Sequence, residues 1–227
     1  MLEKVERVTT DIVVAERLKE WIIKNDLHAG DKLPTEQKLS EELGVARHTL
    51  REGIKRLSQL GIVGSRVGSG LYINEVNFDN IAEYMLYLKQ RKYISMGDVY
   101  EMRYILECYA AREAAKMASG TYIEQISELV DQMAETRQQG NFKQYVEQDI
   151  AFHMLIADST GNKLLSGIVS ALRQVFLEHM SSLNAATISH SYLQHKEILE
   201  SIQAHDPQQA EERMSQHLSD IRETFVS

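Results

Sequence analysis

Apolar residues recur at helical spacing along almost the whole chain. Between residues 10 and 25, Ile12, Val13, Leu18, Trp21 and Ile22 mark one face of an amphipathic helix turned toward a core. Asn25-Asp26 and Ala29-Gly30-Asp31 interrupt it, and Pro34 with the N-cap residue Thr35 opens a short helix that runs to about Leu43. Gly44 then turns the chain into a third helix over roughly residues 46 to 60, with Leu50, Ile54 and Leu57 inward and Arg47, His48, Thr49, Arg51, Lys55 and Arg56 outward. Gly61 ends that helix. Residues 62–65 and 71–73 read as short strands on either side of the glycine-rich tip Arg66-Val67-Gly68-Ser69-Gly70. Three helices followed by a small hairpin are the outline of a winged helix-turn-helix.

Beyond Asn74 only Glu75-Val76-Asn77 precedes the return of helical periodicity, which predicts a short, stiff joint. Seven helices are expected at about 78–91, 96–118, 121–139, 141–159, 162–185, 189–204 and 207–226. Gly120-Thr121, Gly140-Asn141, Thr160-Gly161-Asn162 and Asp206-Pro207 punctuate them, and nothing in this half alternates like a strand. The expected fold class is mainly α: a winged helix-turn-helix in residues 1–74 and an all-α seven-helix bundle in residues 75–227.

Polar residues interrupt the core-facing stripes of that bundle. Phe142, Tyr145, Val146, Ile156 and Ala157 share a face with Asp149 and His153 in its middle, one turn apart. His195 lies on the stripe Tyr192, Leu199, Ile202, and His217 on Ala210, Met214, Ile221, Phe225. A single inward histidine is well explained as a core imidazole bonded to a backbone carbonyl. One Asp and three His all pointing inward fit a metal-ligand set better, because a buried carboxylate must be paired or hold a cation. Nitrogen and oxygen donors without thiolate suit zinc, nickel, manganese or iron(II). Arg103 stands on the stripe Val99, Leu106, Ala110, Met117, where a guanidinium needs either an anion or an internal partner such as Glu107 or Glu113. His179, among Ile168, Leu172, Val175 and Leu183, either lines the same cavity or fills the core.

Charge sharpens the division of labour. The chain carries a net −8, but residues 1–74 hold 12 Lys+Arg against 11 Asp+Glu while residues 75–227 hold 13 against 22, balances of +1 and −9. The first half can approach nucleic acid and the second repels it. At 43% hydrophobic and 26% charged the composition supports a packed core, and the single cysteine, Cys108, excludes an internal disulfide and a cysteine-rich zinc site. No basic-then-apolar leader opens the chain and no apolar run nears the roughly 18 residues of a membrane span, so a cytoplasmic protein without membrane partners is expected.

On the third helix Arg47 and Arg51, four apart, can reach guanine edges or phosphates from a major groove. Thr49 and the helix-start amides can hold a phosphate oxygen, and Gly68 lets the hairpin backbone approach a minor groove while Arg66 supplies charge. With Thr35 and His48 these make the candidate DNA-contacting set. Taken singly each cation fits a solvated surface; short helix, glycine turn, basic helix and glycine-rich hairpin in succession favour DNA binding.

Leu33-Pro34-Thr35-Glu36-Gln37-Lys38-Leu39-Ser40, Gly44-Val45-Ala46-Arg47-His48-Thr49-Leu50-Arg51-Glu52 and Arg66-Val67-Gly68-Ser69-Gly70 resemble the DNA-binding domain of GntR-family transcription regulators. The resemblance implies operator contacts at Arg47, Thr49, Arg51 and Gly68. Gln37 departs from the pattern where many members carry an Arg that touches DNA, and Ala46 where the cap is usually Ser or Thr. The second half resembles the all-helical effector (FCD) domain of the FadR-type branch through Arg103-Tyr104-Ile105-Leu106-Glu107, Asp149-Ile150-Ala151-Phe152-His153, Ser159-Thr160-Gly161-Asn162, His195-Lys196-Glu197-Ile198 and His217-Leu218. In the metal-binding members the positions matching Asp149, His153, His195 and His217 hold one divalent ion.

The expectation is therefore a ligand-responsive, DNA-binding transcription regulator. It would be a homodimer on a palindromic operator, a repressor released by a small carboxylate held by Arg103 and His179 beside one divalent metal per chain. Zinc comes first among the metals, with nickel, manganese and iron as alternatives. Two competing readings are a metal-dependent hydrolase-like enzyme fused to a DNA-binding module, and a regulator whose metal only braces the bundle. No carboxylate is visibly placed beside the four ligands as a general base, which counts against the enzyme.

Overall fold

The computed structural model describes residues 10–66, 70–75, 78–177 and 185–226, with residues 185–189 and 224–226 described by backbone alone. It contains ten helices and one two-stranded sheet among these residues, in two compact units that divide between Asn80 and Ile81. No described helix is long and apolar enough to cross a membrane.

In the first unit α1 (Thr10–Lys24), α2 (Glu36–Leu43) and α3 (Arg47–Gln59) surround a core of Val14, Ala15, Leu18, Ile22, Leu39, Leu50, Ile54 and Leu57. The phase of α1 differs from the expected one: Val14 and Ala15 point inward, while Val13 is 43% exposed. Two adjacent valines satisfy an apolar stripe equally well in sequence, and the close crossing with α3 selects between them. That crossing is tight at Gly53, where an added Cβ would lie 2.5 Å from Val14 Cγ1 and 3.2 Å from the Ala15 backbone nitrogen. Thr35 caps α2 by accepting from the Lys38 amide at 3.3 Å, and Gly44 ends it in the left-handed region at φ 63°.

The hairpin strands differ by about a residue from the expected bounds: β1 (Val63–Arg66) and β2 (Gly70–Ile73) are antiparallel, with Val63 opposite Ile73 and Arg66 opposite Gly70. Residues read only as a helix break add a third edge: Gly30 N donates to Ile73 O at 2.9 Å, Leu33 N to Leu71 O at 3.0 Å, and Ile73 N to Asp31 O at 2.9 Å. These bonds satisfy backbone groups of β2 on the side away from β1.

The described elements of the second unit are all helices: α4 (Asp79–Gln90), whose first two residues fall before the boundary, α5 (Met96–Met117), α6 (Gly120–Gln139), α7 (Phe142–Ser159), α8 (Lys163–Leu177), α9 (Ala185–Gln203) and α10 (Pro207–Val226). Its axis is α5, which packs on α7, α8, α9 and α10. Ala110, Ala111, Ala114 and Ala115 are all buried and let neighbouring helices come close along the second half of α5. Ser95 and Asp98 form a reciprocal capping box at its start, and Asn162 caps α8 by accepting from Leu164 N and Leu165 N at 3.1 Å. One boundary moves. Ala185, expected at the end of the fifth helix of this half, instead opens α9, four residues ahead of the expected start at Ser189. Ala185 and Ala186 are strong helix formers, so the extra turn runs with local propensity.

Gly53→Ala sets about 2 kcal/mol of overpacking against roughly 1 kcal/mol of helix propensity gained, so a net loss near 1 kcal/mol is expected in the first unit. Denaturant unfolding read by fluorescence of Trp21, the sole tryptophan, checks it; an unchanged or raised midpoint contradicts the tight crossing.

Candidate functional site

Helix α3 presents its polar face to solvent. Arg47, His48 and Thr49 open it, and Arg51 stands exposed in its second turn. Ala46 at the N-cap supplies no side-chain hydrogen bond, so the cap leaves first-turn amides of α3 available to an acceptor from outside. Arg51 is held in the free protein by Glu36, Nε to Oε2 at 2.8 Å, an ion pair between two solvated side chains. Arg66 is exposed at the end of β1, its guanidinium stacked 4.5 Å over the Tyr72 ring. Gln37, at a departure from the family pattern, bonds to Glu41 on its own helix. Gly68 lies outside the described residues.

The buried centre is assembled from α7, α9 and α10. Asp149 and His153 come from α7, His195 from α9 and His217 from α10; all four are buried, and one donor atom of each lies within 4.8 Å of the others. His195 Nε2 and His217 Nε2 stand 3.4 and 3.2 Å from His153 Nε2, and Asp149 Oδ1 is 3.2 Å from His195 Nε2 and 3.9 Å from His153 Nε2. The Nδ1 atoms face outward, to Glu107 Oε2 at 2.6 Å for His153, Tyr145 OH at 3.4 Å for His195 and Gln194 Oε1 at 3.0 Å for His217.

Three ring nitrogens and a carboxylate oxygen this close carry more lone pairs than bridging protons can satisfy unless the imidazoles ionise. Burial opposes that at His153 and His217. Burial, and then the Arg173 guanidinium, push His153 down to about 4, and burial with the two neighbouring imidazoles holds His217 well below its ordinary value. Burial also disfavours a charged Asp149, but Arg173, His195 and His153 outweigh it and keep the carboxyl well below the usual range. Neutral imidazoles around an ionised carboxylate are the donor set of a divalent-cation site, and the cluster could hold a metal.

Further charge surrounds these four side chains. Arg173 of α8 donates from Nη1 to Asp149 Oδ2 at 2.7 Å and from Nη2 to Glu107 Oε2 at 3.1 Å. Arg103 of α5 donates from Nε to Glu107 Oε1 at 2.7 Å and stacks 4.2 Å over the Phe176 ring. Its Nη1 and Nη2 nevertheless have no hydrogen-bond partner among the described residues, and the residue is 0% exposed. The two arginines are therefore unequal. Two carboxylates raise Arg173 against the pull of burial, whereas burial and Arg173 lower Arg103 despite Glu107.

The four ligands expected on core-facing stripes are thus brought to one point. Of the two partners expected for Arg103, an anion or an internal carboxylate, the internal pair exists; it is with Glu107 and not Glu113, and it occupies one edge of the guanidinium only. Glu113 instead binds Lys116 and Arg112. Arg173 belongs to no expected site, and its one signal in the sequence is that it is the only charged residue of α8 after Lys163. Glu107 is a correction: a carboxylate does stand beside the four candidate ligands. Burial works against its charge, but Arg103 and Arg173 hold it well below the usual range, which makes it a poor proton acceptor. His179 lies outside the described residues.

Residues 12–73 match the model of bacterial regulatory proteins of the gntR family, and residues 98–220 match the FCD domain. The HTH-type transcriptional regulator LutR of Bacillus subtilis is 27% identical over 212 residues, spanning 90% of this chain and 96% of that protein. The HTH-type transcriptional repressor NanR of an Enterobacter species is 24% identical over 220 residues, spanning 94% of this chain and 84% of that protein. Among solved structures, Streptococcus agalactiae GntR superposes with a TM-score of 0.78 at 26% identity, over 94% of this chain and 99% of that one.

Arg173→Met leaves Asp149 and Glu107 buried without their shared cation. A loss of about 3–5 kcal/mol is expected in the second unit. The check is denaturant unfolding of the metal-free chain, with the far-UV circular dichroism transition moving to lower denaturant while the Trp21 transition stays in place.

Proposed function

The chain belongs to the GntR family of bacterial regulatory proteins, in the FadR-type branch that carries an FCD domain, and from that membership we propose how it senses its signal. It is a DNA-binding transcription regulator; its relatives regulate transcription and are not enzymes. Our reading gives residues 1–74 the task of reading DNA and residues 75–227 those of binding effector and dimerising, in a cytoplasmic homodimer on a palindromic operator.

We assign Asp149, His153, His195 and His217 as ligands of one divalent ion per chain, zinc before nickel, manganese or iron. The observation that carries the reading is the convergence of three imidazole Nε2 atoms and Asp149 Oδ1 in a buried space where ionisation of His153 and His217 is disfavoured. When bound, the ion supplies positive charge and coordination positions beyond the four protein donors.

The effector in this reading is a small organic acid. Glu107 and Asp149 cancel Arg103 and Arg173, so these buried charged groups sum to zero and a divalent ion leaves an excess of +2. Arg103 is where a counter-anion is best accommodated: its Nη1 and Nη2 are buried and without a hydrogen-bond partner among the described residues, and a carboxylate accepts two parallel N–H bonds from such an edge. Acid binding then favours one arrangement of the helical domain over another and changes how strongly the dimer holds its operator, with release from DNA as the expected direction. On the DNA side, Thr35, Arg47, His48, Thr49, Arg51, Arg66 and Gly68 remain the proposed contacts; Arg51 must exchange Glu36 for DNA, at a cost of no more than about 1 kcal/mol for so exposed a pair.

His195→Ala should reduce metal content from one ion per chain to near zero on elemental analysis, and unchanged content would remove His195 from the ligand set. A thermal-shift screen of small carboxylates on the Zn2+-loaded chain tests the sensor: an effector at about 100 times its Kd should add roughly 2.7 kcal/mol of stability. Arg103→Ala should lose that shift while retarding operator DNA like the wild type in a gel assay. A normal acid response would return Arg103 to a structural role. Arg51→Ala should weaken operator binding by about 1–3 kcal/mol at fixed salt, and wild-type affinity would take it off the DNA face.

A further inference from the structure

We propose that Gln194 and Asp220 are positioning residues for His217: together they hold its imidazole as the Nδ1–H tautomer and so present the Nε2 lone pair to the centre. The proposal rests on the metal reading above and concerns two residues that take no place among the four ligands.

Orientation is set from the carboxylate inward. Asp220 on α10 receives Gln194 Nε2 on Oδ2 at 2.6 Å, His190 Nε2 on the same oxygen at 2.9 Å, and Gln216 Nε2 on Oδ1 at 2.6 Å. An ionised carboxylate only accepts, so the end of the Gln194 amide that faces it must be the NH2 group. Turning the amide over would set two oxygens against each other at that distance. The amide oxygen is thereby committed to the other side, where it meets His217 Nδ1 at 3.0 Å. A carbonyl oxygen cannot donate, so the proton of that contact belongs to Nδ1, and a neutral imidazole with its proton there has its lone pair on Nε2. Nε2 is the atom that lies 3.2 Å from His153 Nε2.

The spacing makes the relay a property of two packed helices. His190 and Gln194 are one turn apart on α9, and Gln216, His217 and Asp220 span one turn of α10, which packs against α9. The other two ligand imidazoles are held differently. His195 Nδ1 faces the Tyr145 hydroxyl at 3.4 Å, which can donate or accept and so imposes no tautomer, and His153 Nδ1 faces Glu107 directly. Outer partners of this kind orient a ligand ring and raise its basicity, and their loss weakens metal binding about 10- to 100-fold.

The test uses the full chain with Zn2+ as probe. In the metal-free wild type with 15N-labelled histidine, two-bond nitrogen–proton correlations should place the His217 proton on Nδ1, and in Gln194→Leu that preference should be lost. Zn2+ affinity, measured by competition with a chromogenic chelator, should fall about 10- to 100-fold in Gln194→Leu, and the double variant Q194E/D220N, which keeps an acceptor facing His217, should recover most of it. Wild-type Zn2+ affinity in Gln194→Leu, or a double variant as weak as the single one, overturns the proposal. A wild-type His217 protonated on Nε2 overturns it without reference to metal, and so keeps it falsifiable should Gln194→Leu fail to fold. A wild type that binds no stoichiometric Zn2+ overturns the metal reading and this proposal with it.

Discussion

Arg103, Glu107, Asp149 and Arg173 neutralise one another inside the second unit, each 2% exposed or less. Isolated, any one of them would cost several kcal/mol to bury; together they are tolerated because each carboxylate meets at least one guanidinium at hydrogen-bond distance. The packing of α5, α7 and α8 is thus tied to charge geometry as well as to apolar fit. Arg173 joins α7 to α5 by holding Asp149 and Glu107 at once, and Glu107 in turn stands against His153. The proposed metal ligands rest on this framework.

The framework is nearly closed, and where it is open matters. Arg173 has two carboxylates and Arg103 has one, so among the described residues two Nη atoms of Arg103 lack a partner against only Nε of Arg173. Unbonded guanidinium donors in a dry interior are expensive, and an anion that supplies their partners gains more there than it would in water. A ligand shifts an equilibrium only through unequal affinity for the two states, and donors left unmet in the ligand-free state are one source of that inequality for the sensor proposed.

The first unit, proposed to read DNA, is built on the opposite principle. Its core is small and apolar, its helices α1 and α3 meet closely at Gly53, and the charged side chains of α3 stand in solvent. There the exposed pair Arg51–Glu36 contributes little to stability, so the DNA contact proposed for Arg51 can replace it at small cost. The uncapped start of α3 fits the same purpose, since amides left without a side-chain acceptor are free for one supplied by a ligand.

Among the described residues, periodicity along the chain determined by itself the order of the helices, the hairpin, and the inward direction of Asp149, His153, His195 and His217, because helical repeat and turn chemistry are local and each stripe can be read without knowing its neighbours. It determined the phase of α1 only to within one residue, since Val13 and Val14 are alike until α3 packs against one of them. Tertiary structure decided what those inward groups meet. That Arg173 rather than Arg103 pairs with Asp149, that Glu107 serves two arginines, that Gly30 to Leu33 extend the wing, and that Gln194 faces His217 are all contacts between residues distant in sequence. A polar side chain inside a helix looks the same in sequence whether it is solvated or bonded, and only the approach of another helix gives it a partner.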